Sequence, residues 1–294
     1  MRERALAGAT VAARYALRIG ITLLGARLTV GQLLATGGSS IVAIVVTVTS
    51  ALLLGAWLAR RLGLVPPLST LIAVGMAICG NSAILALSPI IRAHHRETAY
   101  AVSTITIFGL IGVLLLPIAG HLLALTDASF GTWAGLAVND TAQVVATGYA
   151  FSPPAGDTAT VVKLTRNLAI LPVLLGATWW AHRQARAQSA DAIEASAPIA
   201  MIGRAVPWFV VGFVIVAALR SMGLLDGRLP IGGTVADLSS SLATICILVA
   251  LAGVGLATDI RAMLGVGPRP FVLGAAMWVV IGTLGLALAR VYHG

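Results

Sequence analysis

Charge is what this sequence has least of. Asp, Glu, Lys and Arg make up 10% of its 294 residues, where a soluble domain carries about 25%. Hydrophobic residues make up 59%, and the mean hydropathy is +0.98. A soluble core of this length cannot bury so much apolar surface, so a soluble globular protein is excluded. Cysteine is nearly absent: Cys79 and Cys246 both fall in apolar segments, which excludes a disulfide framework. The sequence also lacks HExxH, CxxC, GxSxG and a Walker-type phosphate loop. Neither an enzyme nor a bound cofactor or metal is expected. Lysine occurs once among 19 basic residues, as Lys163. In a chain that otherwise uses arginine, a lone lysine inside an apolar segment stands out.

What is present is a series of apolar runs about twenty residues long, the length a membrane helix needs. A transmembrane barrel would instead alternate polarity over about ten residues. Nine segments are expected, at 15–34, 40–59, 66–91, 97–123, 129–150, 157–181, 205–224, 234–258 and 270–291. Joints are marked by Thr36-Gly37-Gly38-Ser39, Arg60-Arg61, Pro66-Pro67, Pro153-Pro154 and Pro268-Arg269-Pro270. A polar stretch over 182–204 separates a six-segment block from a three-segment block. It reads as a loop, with or without a short surface helix, inside one integral-membrane domain spanning 1–294. No cleavable signal peptide is expected. The net charge of +9 sits mostly in short loops and favours an inside N-terminus. It therefore points to membrane topology and not to nucleic acid.

Two stretches place polar groups within apolar surroundings, where they are expensive and mark function by default. In Cys79-Gly80-Asn81-Ser82, Gly80 weakens the helix, while Asn81 and Ser82 favour caps over helix interiors. In Asn139-Asp140-Thr141-Ala142-Gln143, Asp140 and Gln143 have capping-box spacing. Asn139 and Gln143 share a face if the helix is continuous. Both stretches read as broken helices whose second halves begin at these residues. Lys163, Arg166 and Asn167 follow at i, i+3, i+4, one helical face that should point inward. Two cations there can hold a small anion, pair with Asp140, or merely tie helices together. Asp140 admits three roles: neutralising Lys163, binding a coupling cation, or carrying a proton. Thr104 and Thr106 either line the same place or serve ordinary packing. Asp259, near Arg261, reads as interfacial.

An internal echo links the two stretches. Gly80-Asn81-Ser82-Ala83 matches Asn139-Asp140-Thr141-Ala142, and Glu97-Thr98-Ala99 matches Asp157-Thr158-Ala159. Leu24-Gly25-Ala26-Arg27-Leu28 pairs with Gly255-Leu256-Ala257-Thr258-Asp259. Repeats with broken helices in matching positions are a transporter signature.

The stretches AICGNSAI (77–84), STITIFG (103–109), VNDTAQVVATGYAF (138–151), GDTATVVKLTRN (156–167) and PWFVVGF (207–213) together resemble the YeiH-like membrane proteins, a family of proposed sulfate exporters. The resemblance runs over essentially the whole chain. It implies a fold related to bile-acid symporters and sodium/proton antiporters, with crossing broken helices and elevator-type alternating access. Family members usually carry two further helices before the stretch that begins here at Arg14. The stretch comes almost at the start here, so either the start is misassigned, the sequence is truncated, or this member lacks those two helices. The family's usual His before Asp-Thr-Ala-Gln is Asn139 here, which removes a titratable group.

These readings converge on an all-α polytopic membrane protein acting as a secondary transporter of a small anion, sulfate-like. The expected binding residues are Asn81, Ser82, Asn139, Asp140, Thr141 and Gln143, with Lys163 and Arg166 supplying positive charge. The alternative is a cation or proton antiporter using Asn139-Asp140 and Lys163. Expected partners are a small inorganic or organic anion, a coupling proton or sodium ion, the lipid bilayer of the inner membrane, and a second copy in a homodimer.

Overall fold

The computed structural model of the protein describes residues 15–187, 208–228, 233–257 and 268–293. Asp259 and residues 188–204 of the polar stretch lie outside the described residues. Among the described residues the chain is helical apart from turns and one isolated bridge between Arg228 and Thr234. Helix α1 covers 15–24 and tightens into a 3-10 turn at Gly25–Arg27. Then come α2 (Val30–Arg61), α3 (Pro66–Ala77), α4 (Asn81–Leu87), α5 (His95–Leu122), α6 (Asp127–Ala137), α7 (Thr141–Phe151), α8 (Pro153–Asn167) and α9 (Ile170–Ala187). The remaining helices are α10 (Trp208–Ser221), α11 (Val235–Ala257) and α12 (Pro268–His293).

Local chemistry sets many of these boundaries. Thr29 and Gln32 form a reciprocal capping box that starts α2, and Arg60 and Arg61 close it, where cations suit the helix dipole. Pro66 opens α3 at a position where its missing N–H costs nothing. Ser152 accepts from the Ala155 amide to start α8.

Two expected boundaries move. The joint at Thr36-Gly37-Gly38-Ser39 lies inside α2, which runs unbroken for 32 residues. The glycines there serve packing. A Cβ on Gly37 would fall 3.0 Å from Thr165 Oγ1, so α2 rests closely on α8 at this point. Ser39 and Ser40 satisfy their hydroxyls on the Thr36 carbonyl within the same helix. The segment expected at 157–181 instead begins at Pro153 and turns at Leu168-Ala169 between α8 and α9.

Four stretches are long and apolar enough to cross a membrane: Val30–Arg61, His95–Leu122, Pro153–Trp179 and Pro268–His293. Pro66–Ala77, Trp208–Ser221 and Val235–Ala250 are shorter and also apolar. Their outward faces expose large hydrophobic side chains, such as Leu34, Ile41 and Leu53 on α2 and Ile245 and Leu248 on α11. Exposed apolar rows of this kind are what a lipid-facing surface needs. The chain is a multi-pass helical membrane protein.

The interior holds three apolar clusters. One joins α2, α3, α4, α5, α9 and α12 around Leu71, Ile84, Ile105 and Met277. A second joins α5–α8 and α12 around Phe130, Trp133 and Val144. A third ties α1, α10 and α11 to α7 and α8 through Leu24, Phe213, Ile247, Val145 and Leu164.

Candidate functional site

The two polar stretches of the sequence meet in space. Helix α3 stops at Ala77, Gly80 adopts φ +62°, and α4 starts at Asn81. Helix α6 stops at Ala137, Val138 is extended, and α7 starts at Thr141. The interruptions pass each other backbone to backbone. A Cβ on Gly80 would lie 3.3 Å from Asn139 C and from Asp140 N. Glycine is therefore required twice over at this position, by its positive φ and by the closeness of the second chain.

A helix end leaves its last carbonyls without backbone partners. At α3, Ile78 N and Gly80 N return to Val74 O and Gly75 O. At α6, Val138 N returns to Ala134 O. The carbonyls of Met76, Ala77 and Ile78, and those of Gly135, Leu136 and Val138, are met from α8. Lys163 Nζ donates to Ile78 O at 2.8 Å and Val138 O at 3.1 Å. Arg166 donates through Nε to Ala77 O at 3.0 Å and through Nη2 to Met76 O at 2.7 Å. Its Nη1 serves Leu136 O at 2.6 Å, with longer contacts to Val138 O at 3.3 Å and Gly135 O at 3.4 Å. Both side chains are 0% exposed. One face of α8 thus clamps the negative ends of α3 and α6 with two cations.

Asp140 does not pair with either cation. Its carboxylate accepts the Ala142 amide at 2.9 Å and caps α7. Among the described residues the ion pairs are Arg27–Asp157 and Arg220–Asp226. Capping holds the Asp140 carboxylate at the start of α7, while Lys163 is drawn to the carbonyl ends of α3 and α6.

Four amide side chains also lie on the elements around the crossing. Asn81 Nδ2 reaches Thr106 Oγ1 at 3.5 Å, and Gln143 Nε2 donates to Thr106 O at 3.2 Å. Asn139 Nδ2 contacts Met76 Sδ at 2.9 Å, and Asn167 Nδ2 reaches Thr141 Oγ1 at 3.4 Å. The amide oxygens of Asn81, Asn139, Gln143 and Asn167 are buried and have no donor. Asn139 precedes α7 and so does not share a helical face with Gln143, because the helix is not continuous between them. Ser82 is exposed. Thr104 is buried, donates to Tyr100 O and packs under Gly274; it is Thr106 that joins the amides.

One polar network escaped the sequence reading. Arg27 donates to Ser240 Oγ at 2.6 Å, Thr244 Oγ1 at 2.8 Å and Tyr149 Oη at 3.2 Å, and pairs with Asp157 at 3.7 Å. The Tyr149 hydroxyl donates to Asp157. The network links α1 and α11 to α7 and α8, the helices that carry the crossing residues. Its members lie far apart in sequence, and only the presence of Arg27 and Asp157 in apolar segments hinted at a role.

A helical multi-pass membrane protein with two interrupted segments crossing over a buried Lys–Arg face is the class these features define. The chain belongs to the family described as Conserved hypothetical protein 698, which it matches over residues 1–274. It is 36% identical over 272 residues to a UPF0324 membrane protein of Clostridium tetani, covering 91% of this chain and 77% of that protein. It is 33% identical over 291 residues to a UPF0324 membrane protein of Streptococcus mutans, covering 98% and 83% respectively. The UPF0324 inner membrane protein YeiH of Salmonella typhi is 32% identical over 280 residues, covering 94% of this chain and 76% of that protein. The resemblance to YeiH-like proteins is thereby borne out. No solved structure matches the chain.

Proposed function

We propose that the protein is a secondary transporter, not an enzyme, that moves a small anion across the bacterial inner membrane by alternating access around the crossing of α3/α4 and α6/α7. In this reading each pair is one discontinuous transmembrane helix, and 1–294 works as a single transport domain. The observation that carries it is the charge at the crossing. Lys163 and Arg166 are fully buried, and Asp140 is the one acidic residue in the two interrupted stretches. A net positive charge in a low-dielectric place attracts an anion. At about 6 Å and an effective dielectric of about 20, the attraction is worth about 3 kcal/mol.

Lys163 and Arg166 act here from behind, through their field, because their N–H groups are committed to carbonyls. Asn81, Ser82, Asn139, Thr141 and Gln143 supply the direct contacts, and Asp140 fixes the start of α7. Sulfate is the first anion to test, given the family's proposed role.

The unpartnered amide oxygens favour a second reading, a cation or proton antiporter centred on Asn139-Asp140. Flux into proteoliposomes separates the two. Asn is as good a helix cap as Asp, so Asp140→Asn keeps α7 in place while removing the negative charge. Under the anion reading, Asp140→Asn retains anion uptake and Lys163→Met lowers it at least about tenfold, because losing one cation cancels the net charge that supplies the attraction. Sodium- or proton-driven flux that vanishes in Asp140→Asn, with no anion uptake by the wild type, would establish the antiporter instead.

A further inference from the structure

Resting on the anion reading, we propose that the site selects an anion that itself carries a hydrogen-bond donor, such as a hydroxy acid or a hydrogen-bearing oxyanion, over one with acceptors alone, and that Thr106 sets this preference. Thr106 on α5 orients two amides at once. Its hydroxyl donates to Val102 O at 2.8 Å, so toward Asn81 it has only a lone pair left to offer. Its carbonyl can only accept, so Gln143 must present Nε2 to it. Both amides are thereby turned with their oxygens free, and both oxygens are buried without a donor. Gly109, one helical turn along α5, leaves room for this arrangement, since a Cβ there would overlap Gln143 Oε1.

A buried acceptor without a donor is costly. An anion with only lone pairs to offer would set oxygen against oxygen at Asn81 and Gln143. An anion with a hydroxyl satisfies the charge and the acceptors together. A site built to bond a hydroxyl discriminates strongly against the analogue that lacks it, because the site's own polar groups are then left unpaired.

The test is equilibrium binding by thermal shift on the purified full chain, using anion pairs that differ by one hydroxyl. Acetate is compared with glycolate, ethanesulfonate with 2-hydroxyethanesulfonate, and sulfate is included. The hydroxyl-bearing member of each pair should bind at least about tenfold more tightly. Gln143→Leu should bring the ratio towards one. Thr106→Val keeps the backbone carbonyl but frees the Asn81 amide to turn, and should raise the affinity for the acceptor-only anions. Equal affinities within both pairs in the wild type, or a ratio unchanged in Thr106→Val, would overturn this inference and leave the anion reading intact. No binding of any of the five anions would overturn the anion reading itself.

Discussion

Replacing Arg166 by methionine should damage this protein more than the same replacement of Lys163, although the lysine is the rarer residue. Methionine keeps most of the apolar stem of either side chain and removes its donors. Without Arg166, the carbonyls of Met76, Ala77 and Leu136 lose partners at 2.7, 3.0 and 2.6 Å, whereas Val138 O retains Lys163 at 3.1 Å. A buried carbonyl left unpaired costs about 1–3 kcal/mol, so three of them cost about 3–9 kcal/mol. Removing a buried charge returns part of this. Breaking a buried charged contact costs about 3–5 kcal/mol in measured cases, which places the net loss near the lower end. At about 2–4 °C per kcal/mol for a chain of this size, the melting temperature should fall by on the order of 10 °C. Lys163→Met strands only Ile78 O, because Val138 O keeps its contact with Arg166 at 3.3 Å. Its shift should be less than half as large. Arg166→Lys should fall between, since a point charge cannot span both helix ends as a planar guanidinium does. The assay is tryptophan-fluorescence melting of the detergent-purified variants. If Arg166→Met melts with the wild type, or if Lys163→Met is the more damaging, then the cations do not clamp the two helix ends and the argument fails.

Gly80→Ala should cost more than Gly63→Ala, although both glycines sit at φ +62°. At Gly80, ψ is −125°, outside the left-handed helical region and costly for any residue with a Cβ, by about 1–3 kcal/mol. Its methyl would also meet the Asn139 backbone, while nothing lies within 4 Å of Gly63; equal melting shifts would refute the tight turn at Gly80. Gly38→Ala should stabilise by about 0.5–1 kcal/mol, because the position is interior to α2 with open space around it. Destabilisation measured by the same melt would restore the loop expected at 36–39.

Much of the local geometry of the candidate site was legible residue by residue. Gly80, Asn81 and Asp140 disfavour a continuous helix for local steric and hydrogen-bonding reasons. The helices end at Ala77 and Ala137 and resume at Asn81 and Thr141. Lys163 and Arg166 lie three apart, so they share a face in any helix, and a membrane turns that face inward. Apolar run lengths alone dictated a multi-pass helical protein. These are short-range properties, and a sequence states them directly.

What the two cations meet is another matter. Asp140 was an open candidate, yet it caps α7 while the cations bind carbonyls of α3 and α6. Backbone carbonyls carry no side-chain signature, and which ones a residue meets depends on how the two interruptions cross. Thr36-Gly37-Gly38-Ser39 has the composition of a turn, and only packing against Thr165 makes it helical surface. Thr106 gained its role by facing Asn81 and Gln143 from another helix, and Arg27 found Asp157 and Ser240 across the bundle. The sequence by itself determined that the chain is a multi-pass helical membrane protein, that helices stop at Ala77 and Ala137, and which ionisable residues fall within apolar stretches. The tertiary structure alone decided the partners of those charges, because partnership depends on distances between segments that local propensity does not encode.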